Sequence, residues 1–422
     1  MLGFAILLVL LAIGSPIAFA VLLAVVGHVS TLPFNVSLVA QRIFAGLDSF
    51  SILAIPLFVL AGELMNESGI TSRIINFANA LVGHMRAGLA QVNIWASVIF
   101  AGLSGSAVAD TSALGRVFIP TMEKEGYPRS FAAALTAASS VIGPMIPPSI
   151  PVIIYALITS GVSVPALFLA GVTPGLFLAV GLSIYVYCFA GHYAPLKEKL
   201  TTKERLKAFV DAWIPLFMPV FIVGSILTGI VTPTEAAAFA AAYALVAGMF
   251  ILKSLKLTQL PSIFVRAMRD SSVILIVIAV VAAANWLLTF SRVPQTVSAM
   301  VLEQVSSPWM FLLLVNVILL VVGLFLEGIA AMLILLPILH PIAMSLGIDP
   351  VHFGIVVIFN LMIGLVTPPM GICLFVSNSI ANVGIASISR QIMPMFLVEL
   401  AVLMLITFVP STVTFLPRLF GY

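Results

Sequence analysis

Two apolar segments of the chain are each interrupted by a pair of adjacent prolines. The first segment reads GPMIPPS at residues 143–149, and the second reads GLVTPPM at residues 364–370. The two double prolines lie 221 residues apart, and so do the glycines that open the segments. An α-helix cannot continue through Pro-Pro, because two backbone donors are missing and the rings clash with the preceding turn. In lipid a broken helix is tolerated only beside protein or a water-filled cavity, so this matched pair indicates the binding site of a secondary transporter.

Composition places the chain among membrane proteins. Apolar residues make up 62% of its 422 residues and charged residues only 8%, and the mean hydropathy is +1.25. A soluble domain of this size could not bury so much apolar surface, so we predict an all-α polytopic protein of the lipid bilayer. The formal net charge of +3 is not typical of a protein that binds nucleic acid. Membrane spans, which need roughly 20 residues each, are predicted near 2–28, 51–66, 88–103, 164–191, 211–230, 235–252, 271–291, 308–326 and 393–415.

A basic segment near residue 200 divides the chain into two halves. By the positive-inside rule this segment, at 196–210, is a cytoplasmic linker. The predicted first transmembrane repeat, at 1–195, contains a broken helix or hairpin at 104–160. The predicted second repeat, at 211–422, contains one at 327–385. We therefore predict two internal structural repeats, each with a re-entrant helical hairpin.

Spacing between the halves also pairs two acidic residues. At a spacing of 217 residues, Asp110 corresponds to Glu327 and Pro120 to Pro337. The larger spacing of 221 at the double prolines predicts that four residues are inserted after Pro337. A carboxylate at the bilayer centre costs about 2.5–3.5 kcal/mol on insertion scales and usually has a function. The pairing therefore makes both acids candidates for an ion site.

The most polar intramembrane segment reads GLSGSAVADTS at residues 102–112. Its glycines and serines predict local unwinding, so that carbonyl and hydroxyl oxygens replace the hydration shell of a small cation while Asp110 supplies negative charge. The alternative is close helix packing through small residues, with Asp110 paired to Arg116. At the double prolines the missing donors favour carbonyl oxygens as ligands, and Thr367 adds a hydroxyl.

Together these segments resemble those of the large membrane subunit of the tripartite ATP-independent periplasmic (TRAP) transporters. The resemblance covers essentially the whole chain, and its most specific parts are GLSGSAVAD at 102–110, IGPMIPPS at 142–149 and GLVTPPMG at 364–371. It implies a sodium-coupled importer of an organic acid, such as a C4-dicarboxylate or sialic acid. It also implies an elevator-type transporter with two helical hairpins in a bacterial or archaeal inner membrane.

The resemblance further implies two protein partners, a small membrane subunit and a periplasmic substrate-binding protein. Because no small-subunit-like segment precedes Met1, we expect the small subunit to be a separate chain. Sodium is the implied coupling ion, and no other cofactor is expected. The first implied sodium region comprises Ser104, Gly105, Ser106, Asp110, Gly143, Pro147 and Pro148. The second comprises Glu327, Gly328, Gly364, Thr367, Pro368 and Pro369.

The sequence departs from the family pattern at one residue of the second region. Aspartate is more typical than glutamate at the position of Glu327, so the family pattern supports this residue less directly.

Arg292 follows an apolar run and is either an interfacial anchor or a ligand for a carboxylate. The candidate substrate contacts are Ser149, Met370, Asn378 and Arg292.

Other functions fit parts of the sequence. A standalone carboxylate or arsenite permease would share the paired helix breaks, whereas a channel would not require two mobile repeats. The segment at 102–105 also fits the Gly-x-Ser-Gly of rhomboid-type intramembrane proteases, in which Ser104 needs a histidine base. Only His340 and His352 are candidates near membrane depth, and the protease hypothesis leaves the duplicated prolines unexplained. We therefore expect a transporter and not an enzyme.

Overall fold

The computed structural model describes residues 2–159, 161–305 and 307–422. Within these ranges the chain is helical, and no residue forms a β-strand. Eight helical segments among the described residues are long and apolar enough to cross a membrane, which confirms the predicted all-α polytopic class. The α-helices are α1 (Leu2–Ala12), α2 (Ile17–Val29), α3 (Ser37–Leu47), α4 (Ala54–Glu67), α5 (Ile70–Val82), α6 (Gly88–Ser104), α7 (Ala107–Lys124), α8 (Arg129–Ser140), α9 (Ile150–Ile158), α10 (Val164–Phe189), α11 (Thr202–Leu227), α12 (Pro233–Val246), α13 (Leu260–Phe290), α14 (Val293–Gln304), α15 (Pro308–Phe325), α16 (Gly328–Ser345), α17 (Pro350–Gly364), α18 (Ile372–Ala381), α19 (Ile385–Phe408) and α20 (Ser411–Leu419).

The first predicted span is wrong as a single helix. α1 and α2 are separate helices that pack against each other. Gly14 adopts a φ of +78°, and Pro16 lacks the backbone donor that a continuing helix needs, so the chain turns between them. The predicted linker at 196–210 is likewise not a simple loop, because α11 begins at Thr202.

One group of helices forms a framework. α12 packs along α4, α11 packs along α5, and α13, which is 31 residues long, contacts α2, α3 and α4. Arg266 on α13 pairs with Glu63 and Glu67 on α4 at 3.0 and 2.6 Å. Because these ion pairs are partly exposed, apolar packing contributes more than they do to holding α13 against α4.

The helices around the double prolines form a second group. α8 and α9 flank the first double proline and are termed the first hairpin; α17 and α18 flank the second and are termed the second hairpin. α18 packs against α7 and α8, while α9 contacts α16 and α17. Every side chain of α8 from Phe131 to Ser140 is buried, and most are alanine or serine. Such small side chains allow close helix approach, so the two hairpins share one core.

Helices of the two halves begin at matched positions. α7, α8 and α10 start 221 residues before α16, α17 and α19, which supports an internal repeat over this part of the chain. In this register the N-caps correspond, because the side chains of Ser106 and Glu327 each accept the N–H three residues later. Asp110 then corresponds to Ala331, so the expected pairing of Asp110 with Glu327 is wrong, as is the insertion after Pro337. The predicted and observed registers differ by four residues, about one helical turn. Both registers therefore place matched residues on nearly the same helix face, so the sequence pattern did not distinguish them.

Candidate functional site

The first helix break lies between α6 and α7. α6 ends at Ser104, and Gly105 follows with a φ of +58°. Ser106 then caps α7 by accepting the N–H of Ala109 at 3.4 Å. A side chain at Gly105 would strain this left-handed backbone, and its Cβ would lie 2.5 Å from the carbonyl oxygen of Pro148. Glycine at this position therefore allows the tip of the first hairpin to pack directly onto the break.

Asp110 lies in the first turn of α7 and is fully buried. The Ser104 hydroxyl donates to Oδ1, whereas Oδ2 has no hydrogen-bond partner among the described residues. Oδ2 lies against Gly143, where any side chain would collide with it. Arg116, the alternative partner, is exposed and forms no ion pair with Asp110. Among the described residues, then, no cationic side chain pairs with this carboxyl group, and the oxygen ligands around it fit a small hard cation.

The tip of the first hairpin is buried. Pro147 and Pro148, joined by a cis peptide bond, are both shielded from solvent. The hydroxyl of fully buried Ser149 donates to the Pro144 carbonyl and accepts the N–H of Val152 at 3.3 Å. This hydroxyl closes the turn and caps α9, so the contacts of Ser149 are structural.

The second region depends on close glycine packing. Gly364 lies so near Gly323 of α15 that a Cβ on it would be 2.9 Å from the Gly323 Cα. Thr367 donates its hydroxyl back to a carbonyl of α17 at 2.8 Å. Glu327 accepts the N–H of Ala330 at 3.1 Å, and no hydrogen bond joins it to Thr367. The second region is therefore formed by helix ends, and its carboxylate, on Glu327, is not hydrogen-bonded to its hydroxyl, on Thr367.

The second tip differs from the first in its exposure. Pro368 and Pro369 are also joined by a cis peptide bond, but Pro369 and Met370 are exposed. Gly328 packs against the Met362 side chain, which a Cβ would approach to 2.7 Å. The two tips are thus related in sequence, while their surroundings are not equivalent.

A cavity of about 740 Å³ lies between framework helices and the helices α6, α7, α9 and α16. Ser104, Ser106 and Glu327 line it, so the structure brings two serines of the first region and Glu327 to one space, whereas Asp110 does not line it. α2, α4 and α13 form the opposite wall. α7, α9 and α16 face the cavity with their first turns, where the helix dipole is positive. These turns contribute Val108, Ala109, Ile150, Ile329 and Ala330.

Sequence reasoning did not single out three polar residues of the cavity wall, Glu63, Asn66 and Asp270. Glu63 and Asn66 occur at the end of an apolar span, where polar residues are ordinary. Their spacing of three places them on one face of α4, which is the only sequence signal that could have found them. No lysine or arginine lines the cavity among the residues that the structure describes.

The remaining substrate candidates do not line this cavity. Arg292 is exposed and precedes α14 with a φ of +53°. Asn378 accepts the N–H of Gly384 at 2.9 Å through Oδ1, so its side chain stabilises the end of α18. Met370 is exposed at the second tip.

The protease alternative has no geometric support. Ser104 donates its hydroxyl to Asp110, and neither candidate histidine contacts it. His352 Nε2 lies 2.8 Å from a backbone carbonyl of α19, and His340 Nδ1 lies 3.3 Å from the hydroxyl of Tyr155. Without a histidine base, Ser104 is not activated as a nucleophile.

Comparison with known proteins identifies the family. The family described as "Tripartite ATP-independent periplasmic transporter, DctM component" matches residues 4–412. The chain belongs to this family. A sialic acid TRAP transporter large permease protein, SiaM of Vibrio cholerae, is 40% identical over 98% of this chain and 97% of its own length. A C4-dicarboxylate TRAP transporter large permease protein, DctM of Rhodobacter capsulatus, is 37% identical over 99% and 98%.

Membership of the TRAP family confirms the resemblance drawn from the sequence. The chain is a large permease subunit and not an enzyme, and it is a multi-pass membrane protein of a family that in bacteria resides in the inner membrane. Among solved structures, the Alcanivorax borkumensis YdaH transporter is similar, with a TM-score of 0.62, 14% identity and 87% of each chain covered. At this identity the likeness concerns the fold alone.

Proposed function

We propose that this chain is the large membrane subunit of a sodium-coupled importer of an organic acid. In this proposal a periplasmic binding protein delivers the acid, and a small membrane subunit completes the transporter. The observation that carries the proposal is the buried Asp110 oxygen without a partner, which lies between the α6–α7 break and the first hairpin.

Sodium is the proposed coupling ion because the groups around Asp110 are oxygens. The Ser104 and Ser106 hydroxyls lie at the break, and the Pro148 carbonyl lies against Gly105. Oxygen ligands suit a hard cation. Asp110 supplies the negative charge, either directly or through the Ser104 hydroxyl that it orients.

The same chemistry is proposed for the second region. Its tip offers the carbonyls of Pro368 and Pro369 and the hydroxyl of Thr367, and Gly328 and Gly364 bring the helix ends close together. Glu327 caps α16 through Oε2 and lines the cavity. We therefore assign Glu327 a charge-balancing role, and not that of a matched partner to Asp110.

An organic acid is the proposed substrate because relatives of this chain are named for organic acids. The cavity wall carries Glu63, Asp270 and Glu327 and, among the described residues, no cationic side chain, so positive charge for an organic anion would come from bound sodium and from the first turns of α7, α9 and α16. The relatives that match this chain are named for sialic acid, C4-dicarboxylate and 2,3-diketo-L-gulonate, all of which are organic acids.

We also propose an elevator motion, in which the hairpin helices move against the framework. The cavity lies between the framework and α7, α9 and α16, which pack with the hairpins, and it reaches Asp270 and Ile274 of α13. Arg266 and Arg269, which precede these residues, belong to the cytoplasmic side by the positive-inside rule. In this proposal the α13 end of the cavity therefore lies towards the cytoplasm.

Reconstitution in liposomes tests the proposal. The chain together with its small membrane subunit and cognate periplasmic protein should concentrate an organic acid, chosen by screening acids against the periplasmic protein. Uptake should require external sodium, and liposomes that contain this chain alone should not concentrate the acid.

Two results would contradict the proposal. Full uptake driven by a pH gradient in sodium-free buffer would exclude sodium as the coupling ion. Concentrative uptake by this chain alone would instead favour the standalone permease.

A further inference from the structure

Tyr155 makes contacts that no sequence pattern indicated. It lies on α9, its side chain is fully buried, and its hydroxyl donates to the carbonyl oxygen of Pro350 at 2.8 Å. His340 Nδ1 lies 3.3 Å from the same hydroxyl oxygen. The tyrosine ring packs against α17, where a Cβ at Gly354 would lie 2.5 Å from it. One side chain therefore holds α9, α16 and α17 together.

Each of these helices leads to an expected sodium region. α9 follows directly after the first tip at Pro147 and Pro148. α17 starts at Pro350 and leads to the second tip, and α16, which carries His340, starts directly after Glu327. A helix of nine residues such as α9 transmits a displacement of its first turn to its last, because its backbone hydrogen bonds make it rigid. A displacement of the first tip therefore also moves the Tyr155 hydroxyl.

A second contact also joins the two hairpins, at their opposite ends. Tyr155 connects the end of the first hairpin to the start of the second. Arg129, at the start of the first hairpin, donates from Nη2 to the carbonyl oxygen of Ile380, at the end of the second, at 3.3 Å. Its Nη1 pairs with Glu123 at 2.8 Å. The Arg129 side chain is 36% exposed, whereas Tyr155 is buried, so we expect the tyrosine contact to be the stronger of the two.

We propose that Tyr155 is a positioning residue that couples the two sodium regions, so that sodium binding at one tip favours binding at the other. This inference rests on the proposed sodium-coupled function. Coupling between two sites requires a structural element whose arrangement depends on both of them. The contact of Tyr155 with α16 and α17 is that element. Tyr155→Phe keeps the ring against Gly354 and removes only the hydroxyl.

The test uses the complete transporter in liposomes, with uptake measured over a range of external sodium. Wild type should show a Hill coefficient above 1. Tyr155→Phe should bring the coefficient toward 1 and raise the half-saturating sodium concentration by about fivefold, the scale of one neutral hydrogen bond. The matched control is Tyr243→Phe, since that hydroxyl also donates to a backbone carbonyl, of Ile214 at 2.9 Å, but joins α12 to α11 in the framework.

The outcomes separate this inference from the proposed function. Uptake by wild type that does not depend on sodium would overturn both. Sodium-dependent uptake with a wild-type Hill coefficient of 1, or with an unchanged coefficient in Tyr155→Phe, would overturn the coupling role alone. Detergent melting is measured in parallel, because a purely structural role would lower the melting temperature without changing the Hill coefficient. If Tyr155→Phe does not fold, His340→Leu removes the contact to α16 only and should lower the coefficient by a smaller amount.

Discussion

Replacement of Asp110 by asparagine removes one negative charge with almost no change in volume. The carboxyl group is fully buried, with Oδ1 bonded to the Ser104 hydroxyl and Oδ2 against Gly143. An amide oxygen can accept the same Ser104 hydrogen bond, so the fold should be retained. If the charge balances a sodium ion, the effect should appear in ion binding and not in stability.

Coulomb's law sets the size of the expected effect. With an effective dielectric constant of about 20 and an ion held about 4–5 Å from the carboxyl group, the lost attraction is roughly 3–4 kcal/mol. Burial of the charged aspartate also costs hydration, which the amide avoids in large part, so the net loss is smaller. We expect the sodium concentration for half-maximal uptake to rise at least about tenfold, equivalent to about 1.4 kcal/mol.

The assay combines sodium-dependent uptake by the complete transporter with melting in detergent. Asp211→Asn, at an exposed position of α11, is the control for removal of a charge. Arg116→Gln and the double variant with Asp110→Asn test the ion-pair alternative, in which loss of both partners should recover stability. A lowered melting temperature with unchanged sodium dependence would refute the ion-site reasoning, and so would full transport by the double variant.

Three further substitutions test other parts of the structure. Glu399 on α19 is fully buried, and neither of its oxygens has a partner among the described residues. Glu399→Leu should therefore leave the free energy of unfolding unchanged or raise it by about 1–3 kcal/mol. A clear fall in the melting temperature would contradict this. Gly105→Ala should abolish uptake, because the new Cβ would press on the Pro148 carbonyl. Gly347→Ala, at a φ of +71° with open space around it, should keep uptake and lose only about 1–2 kcal/mol of stability to backbone strain.

The class of the protein and the places where its helices break could be predicted from the sequence. High apolar content requires a membrane environment, and Pro-Pro stops a helix whatever surrounds it. The prediction failed where a hydropathy run concealed a turn, since residues 2–28 are mostly apolar and the break depends on Gly14 and Pro16. It failed again for the repeat register, because a shift of one helical turn keeps Glu327 on nearly the same helix face.

By itself the sequence determined that the chain is a helical membrane protein, that two double prolines interrupt it, and that Asp110 follows an unwound glycine-serine segment. These are local properties, set by hydropathy and by the backbone limits of glycine and proline. Only the tertiary structure decided that Asp110 is bonded to Ser104 and not to Arg116, and that Glu63 and Asp270 face the same cavity as Glu327. The cavity residues lie on helices that are far apart in the chain, and no residue spacing encodes their proximity because it depends on how whole helices pack. Ser104 and Asp110 are close in the chain, but their bond depends on how the backbone turns at Gly105.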